Sequence, residues 1–184
     1  MIMPASSVWR RCGFYFRMTE SDELVQIVSN AGEILTARGW RLAAVESCTG
    51  GWIAKAVTSI AGSSDWFECG VVTYSNASKQ SLAGVPGSLI SRHGAVSAEV
   101  AEAMVSGVLE RTGASAAVSV TGIAGPGGGS DEKPVGTVYM AWQLPGMGTV
   151  SERFHFHGDR DEVRRQSVAT ALSELARLAQ GVPG

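Results

Sequence analysis

Long apolar runs are missing from this 184-residue chain. A helix that crosses a bilayer needs about 20 consecutive apolar residues, so no membrane partner is expected. Net charge is nearly missing as well: 15 Lys and Arg stand against 17 Asp and Glu, a formal charge of -2. Without a basic surplus the chain has no general electrostatic hold on a phosphate backbone, which argues against a nucleic-acid partner. Cysteine is scarce. Cys12, Cys48 and Cys69 are an odd number without metal-type spacing, which argues against a disulfide framework and a zinc site. A reducing cytoplasm is the expected location. His155 and His157 fall on one side of an alternating segment, but no third ligand is spaced to join them, so no metal is expected.

The abundant residue is glycine, with 23 copies, while aromatics make up only 7% of the chain. This is a globular composition, and the length suits one domain with a real core. Residues 1–17 carry arginines but no continuous apolar stretch, which argues against a secretory signal. Met18-Thr19-Glu20-Ser21 looks like a natural beginning, because a helical pattern starts just after it. Residues 1–17 are therefore expected to be an N-terminal extension, non-native or disordered, the alternative being a short ordered arm docked on the domain. Residues 18–184 read as a single domain.

Leu24, Val28, Ala31 and Leu35 recur at helical spacing, with Ser21 or Asp22 as N-cap and Gly39 as the stop. A short strand is expected at Arg41–Val45 and a helix from Trp52 to about Gly62. Val71–Tyr74 reads as a second strand, and Asn76 caps a helix that Gly84-Val85-Pro86-Gly87 terminates. Ser97 caps a helix through Arg111, and Ala116–Val120 is a third strand. Two strands follow at about Val135–Trp142 and Thr149–Phe156, and a last helix runs from about Asp161 to Ala179. Apolar strands separated by helices imply a sheet covered on both faces. The predicted fold is a three-layer α/β/α sandwich with a mixed, mostly parallel sheet. In such sheets ligands gather at the carboxyl ends of strands, where Ser47, Tyr74 and Thr121 all fall.

The segment Glu46-Ser47-Cys48-Thr49-Gly50-Gly51 lies where a strand turns into a helix. Ser47 there is a candidate nucleophile, and the N–H groups of Thr49, Gly50 and Gly51 are candidate oxyanion donors. The alternative is that Ser47 or Thr49 merely caps the helix. Lys79 falls in the first turn of its helix, where the dipole disfavours a cation, and burial would add to that. A neutral lysine there can take a proton from a serine. Tyr74 can relay that proton or help to hold a substrate. The Gly-rich segment Thr121 to Ser130 follows a strand without clearly opening a helix, so it is not a P-loop or dinucleotide fingerprint. A small-anion nest or a surface loop remains. Arg160, near a helix N-terminus, is placed either for a ligand phosphate or carboxylate or for a surface ion pair with Asp159 or Asp161.

Five ordered motifs resemble one family: Glu46 to Gly51, Val72 to Lys79, His93 to Ser97, Thr121 to Pro126 and Lys133 to Val138. Together they are similar to the C-terminal domain of the CinA (competence/damage-inducible) family. The likeness is greatest to its stand-alone nicotinamide-nucleotide amidohydrolases and covers about Met18 to Ala179. The resemblance implies hydrolysis of the carboxamide of nicotinamide mononucleotide to nicotinate mononucleotide and ammonia, without a cofactor. It implies catalytic roles for Ser47, Lys79 and Tyr74, and nucleotide contacts from Thr121, with its neighbour Gly122, and Arg160. It also implies self-association, with a dimer favoured. An amidase with another substrate and a non-catalytic nucleotide-binding module are the competing readings.

Overall fold

The computed structural model describes residues 20–183. The expectation for residues 1–17 lies outside them. Among the described residues the chain forms six α-helices and five strands: α1 (Glu20–Ala37), β1 (Leu42–Glu46), α2 (Trp52–Thr58), β2 (Phe67–Val72), α3 (Asn76–Ala83), α4 (Gly87–His93), α5 (Ala98–Arg111), β3 (Ala116–Gly122), β4 (Thr137–Gln143), β5 (Val150–His155) and α6 (Arg160–Gly181). The strands join in one sheet of order β2-β1-β3-β4-β5. β1 pairs in parallel with β2 and β3, and β4 runs antiparallel to both β3 and β5, so four of the five strands point the same way.

Alternation along β1 builds both layers of the core. Leu42 and Ala44 face one layer with Val28 and Leu35 of α1, Ile53 and Val57 of α2, and Val168 and Leu172 of α6. Ala43 and Val45 face the other, with Ala83 of α3, Ile90 of α4 and Met104 and Val108 of α5. β1 is thus buried on both faces, which explains its uninterrupted apolar sequence. The chain passes from β1 to β2 over the α2 face and returns to β3 over the α3–α5 face. A crevice opens outside the carboxyl ends of the strands where such crossovers part. Register puts Glu46 level with both Val72 and Val120, so Ser47, Thr73 and Thr121 all follow at the same edge of the sheet.

Four local expectations are corrected. β2 begins at Phe67 and ends at Val72, so Thr73 and Tyr74 lie past the strand. It is an edge strand whose residues alternate between half-buried and exposed, and its apolar signal is correspondingly weak. The seven-residue α4 is not among the expected elements, because the breakers Gly84 to Gly87 read as a turn; Pro86 instead stands at its N-cap and Gly94 closes it. Ser21 and Asp22 lie inside α1. Ser75, not Asn76, caps α3: its hydroxyl accepts from the Ser78 N–H while the Ser78 hydroxyl accepts from the Ser75 N–H.

α5 crosses the C-terminal end of α3 with Gly107 at the contact. A β-carbon there would land on the Ala83 carbonyl oxygen. Gly107→Ala is expected to lower stability by about 1–3 kcal/mol through overpacking, read as a fall in the thermal unfolding midpoint.

Candidate active site

Ser47 leaves the end of β1 with its N–H donating to the Val120 carbonyl of β3 at 2.9 Å. The neighbouring carboxylate of Glu46, fully buried, turns the other way and closes the start of α2. It accepts from the N–H groups of Gly51 (3.0 Å), Ile53 (3.0 Å) and Ala54 (2.9 Å). The Glu46 carbonyl in turn accepts the Thr73 N–H at 2.7 Å. The Thr73 carbonyl accepts from Lys79 Nζ at 2.7 Å, and the same Nζ lies 2.9 Å from Ser47 Oγ. Glu46, Thr73, Lys79 and Ser47 thus form a closed ring of covalent and hydrogen bonds that fixes serine against lysine.

Lys79 is 2% exposed and Ser47 8% exposed. Desolvation by burial lowers the Lys79 amine below its ordinary pKa, partly opposed by attraction to Cys48. A neutral amine keeps an N–H for the Thr73 carbonyl and turns its lone pair toward the Ser47 hydroxyl. This is the geometry of a nucleophile and its base. Cys48 lines the same cavity, but burial pushes its thiol up to about 12, so the neutral thiol is a poor nucleophile near pH 7.

The cavity over this pair measures about 200 Å³ and is walled by Ser47, Lys79, Asn76, Ala95, Val96 and Thr121, with Tyr74 and Arg160 at its rim. Gly122 and Ala124 complete it. Of the residues singled out in the sequence, Ser47, Lys79, Tyr74, Thr121, Gly122 and Arg160 are therefore brought together. Tyr74 is 63% exposed, and its phenol oxygen accepts from Arg160 Nη2 at 3.1 Å. Arg160 also donates through Nη1 to the Gly125 carbonyl at 2.8 Å, which ties the rim to the Gly-rich loop. The Thr121 hydroxyl donates to the Ala95 carbonyl at 2.8 Å.

Thr49, Gly50 and Gly51 do not wall this cavity. The Gly50 N–H donates to the Ser47 carbonyl at 3.1 Å and the Gly51 N–H donates to the Glu46 carboxylate at 3.0 Å. Two of the three expected oxyanion donors, Gly50 and Gly51, are thus already engaged, Gly51 by the Glu46 carboxylate that closes the helix end. Gly50 and Gly51 instead border a separate hollow with Trp52, Lys55, Asp161 and Arg164. Asn76 is the polar cavity residue that sequence reasoning misses; its position reads as the helix cap, and Ser75 holds that role. A larger apolar groove of about 470 Å³ lies between α1, α2 and α6, away from Ser47. Among the described residues no three His, Cys, Asp or Glu side chains converge as a metal site would require, and no helix is long and apolar enough to cross a membrane.

The family model of the CinA C-terminal domain matches residues 24–179. The chain belongs to that family. It is 51% identical over 158 residues to nicotinamide-nucleotide amidohydrolase PncC of Escherichia coli K12, a match that covers 86% of this chain and 95% of the relative. It is 51% identical over 157 residues to the protein of that name from Pseudomonas putida, covering 85% and 98%. Among solved structures, the competence damage-inducible protein A of Klebsiella pneumoniae superposes with a TM-score of 0.82 at 37% identity, covering 86% of this chain and 98% of that one. The CinA-family domain is therefore matched along almost the whole described fold, the crevice included.

The depressed Lys79 pKa has a consequence for stability. Between the lowered folded value and the ordinary one, the unfolded chain binds more protons than the folded chain. The stabilising contribution of Lys79 is thus fully present above the ordinary lysine pKa and is lost as pH falls through the folded one. The stability of the wild type relative to Lys79→Met is expected to rise with pH across that window. Paired denaturant titrations from pH 7 to 10 check this; a difference that is flat or falls with pH contradicts it.

Proposed function

We propose that this chain hydrolyses the carboxamide of nicotinamide mononucleotide to nicotinate mononucleotide and ammonia, with Ser47 as nucleophile and Lys79 as base. The observation that carries the mechanism is the 2.9 Å approach of a buried lysine amine to the Ser47 hydroxyl at the carboxyl edge of the sheet. The substrate is supported by the activity for which the matching relatives are named, over nearly their whole length.

In this scheme Lys79 takes the Ser47 proton as Oγ attacks the carboxamide carbon. The contact is direct, so no relay through Tyr74 is needed. Collapse of the tetrahedral adduct breaks the C–N bond, and the Lys79 ammonium protonates the leaving nitrogen, releasing ammonia. Water then attacks the Ser47 ester, gives its proton to Lys79, and the proton returns to Ser47 Oγ as the acid departs. The cationic pyridinium ring withdraws electrons from the amide and eases both attacks. Asn76 supplies an uncharged donor to the carboxamide oxygen as it gains charge, in place of the Gly50 and Gly51 N–H groups engaged elsewhere. Losing one such donor typically costs about 2.7–4 kcal/mol of barrier.

A cavity of about 200 Å³ is small beside pockets that enclose a whole ligand, about 300–1,000 Å³. It fits the amide-bearing ring, which leaves the ribose and phosphate at the mouth. Arg160 and Tyr74 are placed there with the Thr121–Gly122 edge, and the guanidinium is the fitting partner for the phosphate.

Ammonia release is expected from nicotinamide mononucleotide, and far less from nicotinamide riboside or free nicotinamide. Ser47→Ala and Lys79→Met should each lower kcat by about a thousandfold or more while substrate affinity changes little. Folded wild type without release would overturn the reaction. Near-normal turnover in Lys79→Met would overturn the base.

A further inference from the structure

Two stretches of the cavity wall come from outside the Ser47–Lys79 pair: Ala95 and Val96 in the turn between α4 and α5, and Gly122 and Ala124 at the start of the Gly-rich loop. Lys133, at the far end of that loop, joins them. Its Nζ donates to the Val96 carbonyl at 2.8 Å and to the His93 carbonyl at 3.2 Å. His93 ends α4, where a cation complements the exposed carbonyls. Gly94 has φ +76°, a conformation that suits glycine, and this curl lets the His93 and Val96 carbonyls converge on one ammonium. The same ammonium lies 5.9 Å from the centre of the Tyr139 ring on β4.

The base of Lys133 is itself anchored. Its N–H donates to Ser130 Oγ at 3.1 Å, and its carbonyl accepts the Ser130 N–H at 2.9 Å. Three residues on, the Gly136 N–H donates to the Ile123 carbonyl at 2.8 Å, closing the loop onto the sheet. Ala95 is held from the opposite side, by the Thr121 hydroxyl. The Ala95–Val96 carbonyls are thus tied to a sheet residue and to one lysine, while Ser97 Oγ donates to the Gly94 carbonyl at 3.0 Å just before them.

We propose that Lys133 is a positioning residue for substrate binding: it straps the Ala95–Val96 wall over the Ser47 cavity without touching substrate. The inference rests on the reaction proposed above for its kinetic readout. Removing the strap loosens a binding wall and leaves the Ser47–Lys79 contact in place. Binding should therefore suffer and chemistry should not.

The test compares wild type, Lys133→Met and Lys133→Arg by nicotinamide mononucleotide kinetics and by backbone amide relaxation. Hydrogen bonds from a charged donor are strong enough that Lys133→Met should raise KM about tenfold or more. kcat should stay within about threefold, and the pH profile of kcat should not move. Lys133→Arg, which keeps the cation, should recover most of the KM. Order parameters of the Ala95 and Val96 amides should fall from about 0.85 to below about 0.6 in Lys133→Met only. A KM within about twofold of wild type overturns the proposal, and so do unchanged order parameters or a shifted pH profile. Should Lys133→Met not fold, Lys133→Gln undergoes the same series, with the same outcomes expected and the same outcomes overturning the proposal. Wild type that releases no ammonia would defeat the reaction instead, and the order parameters would still decide whether Lys133 holds the wall.

Discussion

The site depends on taking one amine out of water. Lys79 is buried where a cation is unwelcome: in the first turn of α3, beneath a cavity, with a carbonyl and a hydroxyl as its neighbours. Desolvation favours its neutral form, and only that form has a lone pair for the Ser47 proton. A solvated lysine at the same distance would feel no such push toward the neutral form. The surrounding structure serves to keep this amine dry and aimed.

That service is distributed over the carboxyl edge of the sheet. Parallel pairing of β1 with both β2 and β3 sets Ser47, Thr73 and Thr121 level with one another. Thr73 anchors the amine, Ser47 receives it, and Thr121 fixes the wall through Ala95. Glu46 stabilises the turn from beneath by accepting three N–H groups at the start of α2. Its buried carboxylate answers the positive end of that helix from within the protein. The α2 end is thus closed, and Arg160 is the guanidinium at the rim of the cavity.

Much of this is legible in the residues. Leu42 to Val45 announce a strand buried on both faces, and the change to helical spacing after Gly51 puts Ser47 at a strand end. Lys79 stands out because its position in a helix opposes the dipole. Other parts are not legible, for physical reasons. β2 is an edge strand with one wet face, so its apolar pattern is weak. α4 lies among proline and glycine, which mark a turn as readily as they mark a helix boundary. Glu46 and Asn76 mislead for one reason: a capping partner depends on where side chains turn in space, and Ser75 and Asn76 are equally good caps on paper. The role of Lys133 lies in contacts with residues 37 and 40 positions away, beyond any local pattern.

The central claim is that burial holds the Lys79 amine below the ordinary lysine pKa in the folded protein. The direct measurement is an NMR titration of lysine side chains labelled at the ε-carbon, with the Lys79 signal assigned by its loss in Lys79→Met. Its midpoint should fall below the ordinary lysine range, and the Ser47→Ala variant should keep it depressed, because burial is the cause. A Lys79 midpoint in or above the ordinary lysine range would show that burial does not favour the neutral amine beside Ser47 and would contradict the account.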